Sequence, residues 1–171
     1  MIDQAYVQRL ARYNRWQNRS LYAAADTLSD AERRRDRGAF WGSIHGTLAH
    51  ILWGDQQWMV RLAGTPPPRA KSGRESIDAY PEWAELTAHR IAFDEAIIRW
   101  ADGLDPKWLA GDLTYYSGIA KRDLSKPKWL LVTHLFNHQT HHRGQAHCML
   151  TAAGAKPADT DLPFMPDGEL A

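Results

Sequence analysis

The chain has 171 residues, 44% of them apolar and 24% charged, the composition of one ordinary soluble domain with little room for a second core. Lys plus Arg number 21 against 20 Asp plus Glu, and a formal charge of +1 gives no electrostatic ground for nucleic acid or an anionic membrane as partner. A single cysteine, Cys148, excludes an internal disulfide framework and a thiolate zinc cluster; with no signal-peptide pattern and no apolar stretch near about 18 residues, a cytoplasmic protein is expected.

From Asp3 to about Thr27 the chain lacks Gly and Pro, and Tyr6, Leu10, Tyr13 and Leu21 recur at helical spacing, which predicts a first long helix. Ser29 to Arg37 is charged and ends at Gly38, reading as a solvated connector. Ser43 is an N-cap candidate for a second helix that continues to about Ala63, where Gly64 and the triple proline Pro66 to Pro68 break it. A third helix is predicted from about Ser76 or Pro81 to Trp100, with Asp102-Gly103 as its stop. Leu113–Tyr116 and Ala120–Leu124 flank Ser117-Gly118 as a short β-hairpin. Pro127 opens a fourth helix that ends before Gly154, and the tail from about residue 155 is irregular. Together these elements predict one all-α domain, an antiparallel four-helix bundle with a long crossover and a small hairpin before the last helix.

Bundle sites are built from side chains that face one another across the helices. Four of the eight histidines fall between His134 and His142. At about 100° per residue, His134, His138 and His142 share one face with Leu131, Leu135 and Met149, while His147 points the opposite way. A lone histidine on such a face is usually a hydrogen-bonded core residue. Three stacked imidazoles bring several nitrogen lone pairs into one space, and a divalent cation satisfies them; the i, i+4 step is also how a helix presents two imidazoles to one ion. Spacing alone leaves both readings open. A third ligand must come from another helix. The small and polar face of helix two, with Thr47, Gly54 and Gln57, favours His50 over His45, read as exposed or capping, and over His89, read as exposed.

The segment from Pro127 to Gln145, containing His134, His138, His141 and His142, resembles the last-helix signature of the DinB/YfiT-like family of metal-dependent proteins. Tyr13 to Asn18 and Thr47 to Trp58 are similar to its two earlier signatures, in the same order, and the similarity reaches Asp159 to Asp161. The resemblance implies a four-helix bundle, often a homodimer, that binds one divalent ion through His50, His138 and His142. His134, one turn earlier in the same signature, reads as a residue behind the ligands or in the pocket wall, and His141 as a surface hydrogen bond or dimer contact in preference to a ligand. Gln57, Gln145, Tyr13 and Trp16 are further pocket candidates, though residues such as Tyr13 and Trp16 are more often core packing than substrate contacts. Asp55, about 140° from His50, reads as a buried carboxylate bonded to Asn14 or Trp16. Cys148 reads as an inert core thiol.

Three neutral imidazoles suit zinc or nickel first, with copper, iron or manganese also compatible, and leave the ion its full charge and an open position. Relatives of the implied bundle include thiol-dependent S-transferases. The resulting expectation is a metal-dependent enzyme that activates a low-molecular-weight thiol, or a related hydrolase; the alternative is a non-catalytic, stress-related metal binder or sensor.

Overall fold

In the computed structural model, which describes residues 2–169, the chain is mostly helical with one small two-stranded antiparallel sheet. Its elements are α1 (Gln4–Asp26), α2 (Asp30–Arg34), α3 (Ile44–Ala63), α4 (Gly73–Ser76), α5 (Trp83–Asp102), β1 (Asp112–Ser117), β2 (Arg122–Pro127) and α6 (Lys128–Ala152). Each long helix packs against two others: α3 against α6 and α5, and α1 against α5 and α6. No helix among the described residues is long and apolar enough to cross a membrane.

Local chemistry sets the helix ends. The Asp3 carboxylate accepts from the Tyr6 N–H at 2.8 Å, and Ser43 Oγ accepts from Gly46 N–H at 3.0 Å, satisfying donors that a helix start leaves unpaired. Gly64 closes α3 at φ +68°, a conformation that a side chain resists. The third long helix starts at Trp83, later than either expected start. Ser76 belongs instead to the one-turn α4, and Pro81 biases Tyr80 toward extended backbone, so no helix runs through it.

Three other segments depart from the sequence reading. The charged connector contains the short helix α2, and its Arg33 is buried, donating to the carbonyls of Ala25 and Leu28 near the α1 C-terminus with its guanidinium 4.7 Å from the Trp83 ring centre. The second strand begins at Arg122 and continues to Pro127, because Tyr115 pairs with Leu124 and Asp112 with Pro127. Pro127 therefore ends a strand and caps α6 rather than occupying its first turn.

The interior is stratified along the helices. One apolar cluster holds Leu21, Ile44, Leu48, Ile51, Leu86 and Leu150; the other holds Val7, Met59, Ile97, Leu131, Leu135 and Phe136. Between them in the sequence of every long helix lies a buried polar layer: Asn14 and Asn18 on α1, Asp55 on α3, Arg90 and Asp94 on α5, Gln139 and Arg143 on α6. Arg90 joins the layer, donating to Asp55 Oδ2 at 2.6 Å and lying 2.8 Å from Asp94 Oδ1. Asp94 accepts from Asn14 and Asn18, and Asn14 accepts from Arg143.

Candidate metal centre

The inward face of α6 is centred on Gln139, not on His138 as the helical wheel suggested. Val132, Leu135, Phe136, Ala146 and Leu150 surround that centre, all buried. The histidines consequently step outward along the flank of α6: His142 is buried, His138 half-buried and His134 exposed. On the facing helix, His50 meets His142, Gly54 meets His138 and Trp58 meets His134, so α3 and α6 run in opposite directions along a shared seam.

His50, His138 and His142 offer ligand nitrogens that all lie within 4.8 Å of one another, and among the described residues no other His, Cys, Asp or Glu joins the group. Their ring centres are 5.4, 4.8 and 4.5 Å apart. Three imidazoles on one tetrahedral ion, with metal–nitrogen distances of about 2.0–2.1 Å, have ring centres roughly 5 Å apart, so the trio needs little movement to close on a cation.

Hydrogen bonds behind the rings orient them. The Ser76 hydroxyl donates to the Gly73 carbonyl at 2.5 Å and accepts from His50 Nδ1 at 3.0 Å, which leaves His50 Nε2 as the lone-pair nitrogen. His142 Nδ1 donates to Gln145 Oε1 at 2.7 Å with the same consequence for its Nε2. His138 Nδ1 is buried without a hydrogen-bond partner. Trp41 stacks on His50 at 3.8 Å, and Trp53 flanks it at 5.4 Å. Burial, and then the neighbouring His142, push His50 and His138 down to about 3; burial also lowers His142. All three are neutral near pH 7 and free to donate lone pairs. An orphaned buried nitrogen, two fixed tautomers and an all-imidazole donor set fit a divalent cation.

The DinB family model matches residues 1–169. The chain belongs to the DinB family. It is 28% identical over 165 residues to the protein DinB of Bacillus subtilis, covering 94% of this chain and 92% of that one. The crystal structure of a DinB-like protein from Bacillus cereus shares its fold at 17% identity, with a TM-score of 0.62 over 84% of this chain and 90% of the other.

Other residues singled out in this DinB-family sequence take varied places. Gln145 orients His142 and approaches His141 at 3.4 Å; His141 is exposed, its ring 4.8 Å from that of His142. His134 lies one turn outward, 5.9 Å from His138 and edge-on to Trp58 at 4.8 Å. Gln57 is half-buried and makes no side-chain hydrogen bond among the described residues. Asp55 is fully buried as expected, but its ion-pair partner is Arg90 rather than Asn14 or Trp16. Tyr13 donates to the Thr160 carbonyl at 2.5 Å and packs edge-on against Trp16, tying α1 to the tail. His45, expected at the surface, is buried with Nε2 2.8 Å from the Tyr80 carbonyl, while Cys148, expected in the core, is exposed.

Sequence reasoning missed Ser76 and Trp41 and did not identify the particular part played by Gly54. Ser76 is 26 residues from His50 in a crossover without helical periodicity. Trp41 carried a faint signal, an aromatic two residues before the Ser43 cap. Gly54 is where His138 rests on bare backbone: a Cβ there would sit 2.6 Å from the ring's Cε1. Gly54→Ala is expected to weaken zinc binding at least about tenfold by displacing that ring. It should leave the fold intact, since alanine favours a helix interior by about 1 kcal/mol. A chelator-competition titration beside a thermal melt checks both halves.

Proposed function

We propose that this chain is a four-helix-bundle metalloprotein in which His50, His138 and His142 hold one divalent ion, zinc or nickel, and that it serves as a metal-dependent enzyme acting on a small thiol. The supporting observation is the trio itself: three neutral imidazoles whose ligand nitrogens lie within 4.8 Å of one another, with no fourth His, Cys, Asp or Glu joining them among the described residues. A three-ligand set is that of a catalytic ion rather than a closed structural one. When bound, the ion would supply a Lewis acid able to acidify a thiol or polarise a carbonyl.

The chain's own groups supply the rest. Ser76 and Gln145 hold the imidazoles in their ligating tautomers, and Trp41 and Trp53 shield the His50 side from water. Burial and the nearby Arg61 charge lower His134, keeping its exposed ring neutral near pH 7 and able to accept a thiol proton. The competing reading, a non-catalytic binder, needs only a saturated coordination sphere, and a fourth protein donor would favour it; the His141 ring is 4.8 Å from that of His142, but the residue is exposed beside Gln145. The family resemblance extends the proposal to a homodimer.

The test is thiol transfer by zinc- or nickel-loaded protein, with glutathione, bacillithiol and mycothiol as donors and an electrophilic aryl halide as acceptor. Metal-dependent turnover with one of them is expected. No turnover, together with spectroscopic saturation of the ion by a fourth protein donor, would establish the binder instead.

A further inference from the structure

The seam between α3 and α6 does not end at the trio. From His138 it continues to His134 at 5.9 Å, from His134 to Trp58 at 4.8 Å, and from Trp58 to the Arg61 guanidinium at 4.7 Å. Tyr115 of the hairpin lies 4.9 Å from the same guanidinium, and its ring meets that of Trp58 edge-on at 5.6 Å, so the guanidinium rests in the corner formed by the two aromatic rings. Such a corner holds the guanidinium by its contacts with the rings and leaves N–H groups on its open side free to donate.

Arg61 differs from the other half-buried arginines, Arg12, Arg15 and Arg37, each of which pairs with a carboxylate. Among the described residues it makes no salt bridge, and the ionisable groups near it are Tyr115 and His134, neither of them a carboxylate. The seam from the trio to Arg61 is thus lined by neutral imidazoles, indole and one cation. Partial burial makes an unpaired guanidinium costly, and a carboxylate in the fork of its N–H groups would relieve that cost.

We propose that Arg61 is the anchor for a carboxylate on the molecule that reaches the histidine trio, so that the site selects an acidic thiol over a neutral one. The inference rests on the thiol-binding reading above. With α3 rising 1.5 Å per residue, the anchor lies roughly 10–15 Å from the trio, a span that an extended six-carbon mercapto acid or a short thiol peptide covers once the contacts at its two ends are included.

Calorimetry of the zinc-loaded protein with 6-mercaptohexanoate and with neutral 6-mercaptohexan-1-ol tests it, with zinc content measured in each variant. Wild type is expected to bind the acid at least about tenfold more tightly, the value of one charge-assisted hydrogen bond. Arg61→Met should bind both alike while retaining zinc, and Arg61→Lys should restore part of the preference. No preference in wild type, or a preference that survives Arg61→Met, overturns the proposal. A titration of zinc-free protein with hexanoate separates this from the metal reading: the Arg61 Nε–H resonance should shift whether or not zinc binds. An unmoved resonance counts against the anchor, whereas a chain that takes up no zinc counts against the metal centre alone.

Discussion

Replacing His138 with alanine is expected to lower the affinity for zinc by more than about 100-fold, whereas His147→Ala leaves it unchanged. Perturbing the groups that merely orient a ligand costs about 10–100-fold, and removal of a ligand should exceed that. His138 belongs to the trio, its ring 4.5 Å from that of His142 and 5.4 Å from that of His50. It is also the residue with most to gain from a cation, because its buried Nδ1 has no partner in the protein. His147 is on the same helix and half-buried, but shares no ring contact with the three. Comparing the two variants removes any general effect of losing an imidazole from α6. Elemental analysis after dialysis reads the result, and full zinc occupancy in His138→Ala would remove this residue from the site.

The second large effect is on stability. Arg90→Ala is expected to cost about 3–5 kcal/mol, because it leaves two carboxylates in the interior without their cation. Arg90 is 2% exposed, and Asp55 and Asp94, which it bridges, are 0% and 3% exposed. Burial pushes Asp55 up to about 6 against the lowering pull of Arg90, and raises Asp94 as well. A carboxyl raised in the folded state binds its proton there first. Its contribution to stability is therefore present below about pH 4 and lost as pH rises through about 6. Without Arg90 both carboxyls lose their main lowering charge, so the deficit should be largest above pH 7 and shrink toward pH 5. Urea unfolding at the two pH values measures it. A loss below 1 kcal/mol at pH 8 would mean that water, rather than Arg90, compensates the pair.

Much of this organisation is legible in the sequence, for identifiable reasons. The caps at Asp3, Ser43 and Gly64 obey local rules that need no knowledge of tertiary structure, and α3 ends where those rules place it. The i, i+4 step of His138 and His142 is likewise local, and a facing helix brings His50 to it. The rotation of α6 was harder to read, because an imidazole is neither clearly apolar nor clearly polar and the stripe drew the apparent core face toward itself.

Once the centre moves to Gln139, several departures become one. Cys148 then lies about 180° away and is exposed, His141 and His134 fall toward the outer face, and His142 lies near the inner edge. The polar layer was hidden for a similar reason. Arg90 and Asp94 occupy the inward stripe of α5 between Leu86 and Ile97, so charge stands where periodicity looks for apolar residues, and the stretch around Arg90 reads as solvent-facing. The Asp55 partner is 35 residues distant on another helix, a pairing that no local pattern encodes.

This layer also has a bearing on the trio. Arg143, buried beside His142 in sequence, bonds to Asn14, and through Asn14 and Asp94 the network reaches Arg90. Rigid support of this kind holds the helices that carry the three histidines at a fixed separation, which an ion would need from groups on two different helices.

X-ray absorption at the zinc edge of protein loaded with one equivalent of zinc tests the central claim most directly. The account predicts three imidazole nitrogens at about 2.0 Å and a non-protein donor, with one imidazole lost in each of the single alanine variants of His50, His138 and His142. A spectrum with fewer than two imidazoles, or one unchanged by those substitutions, would contradict it.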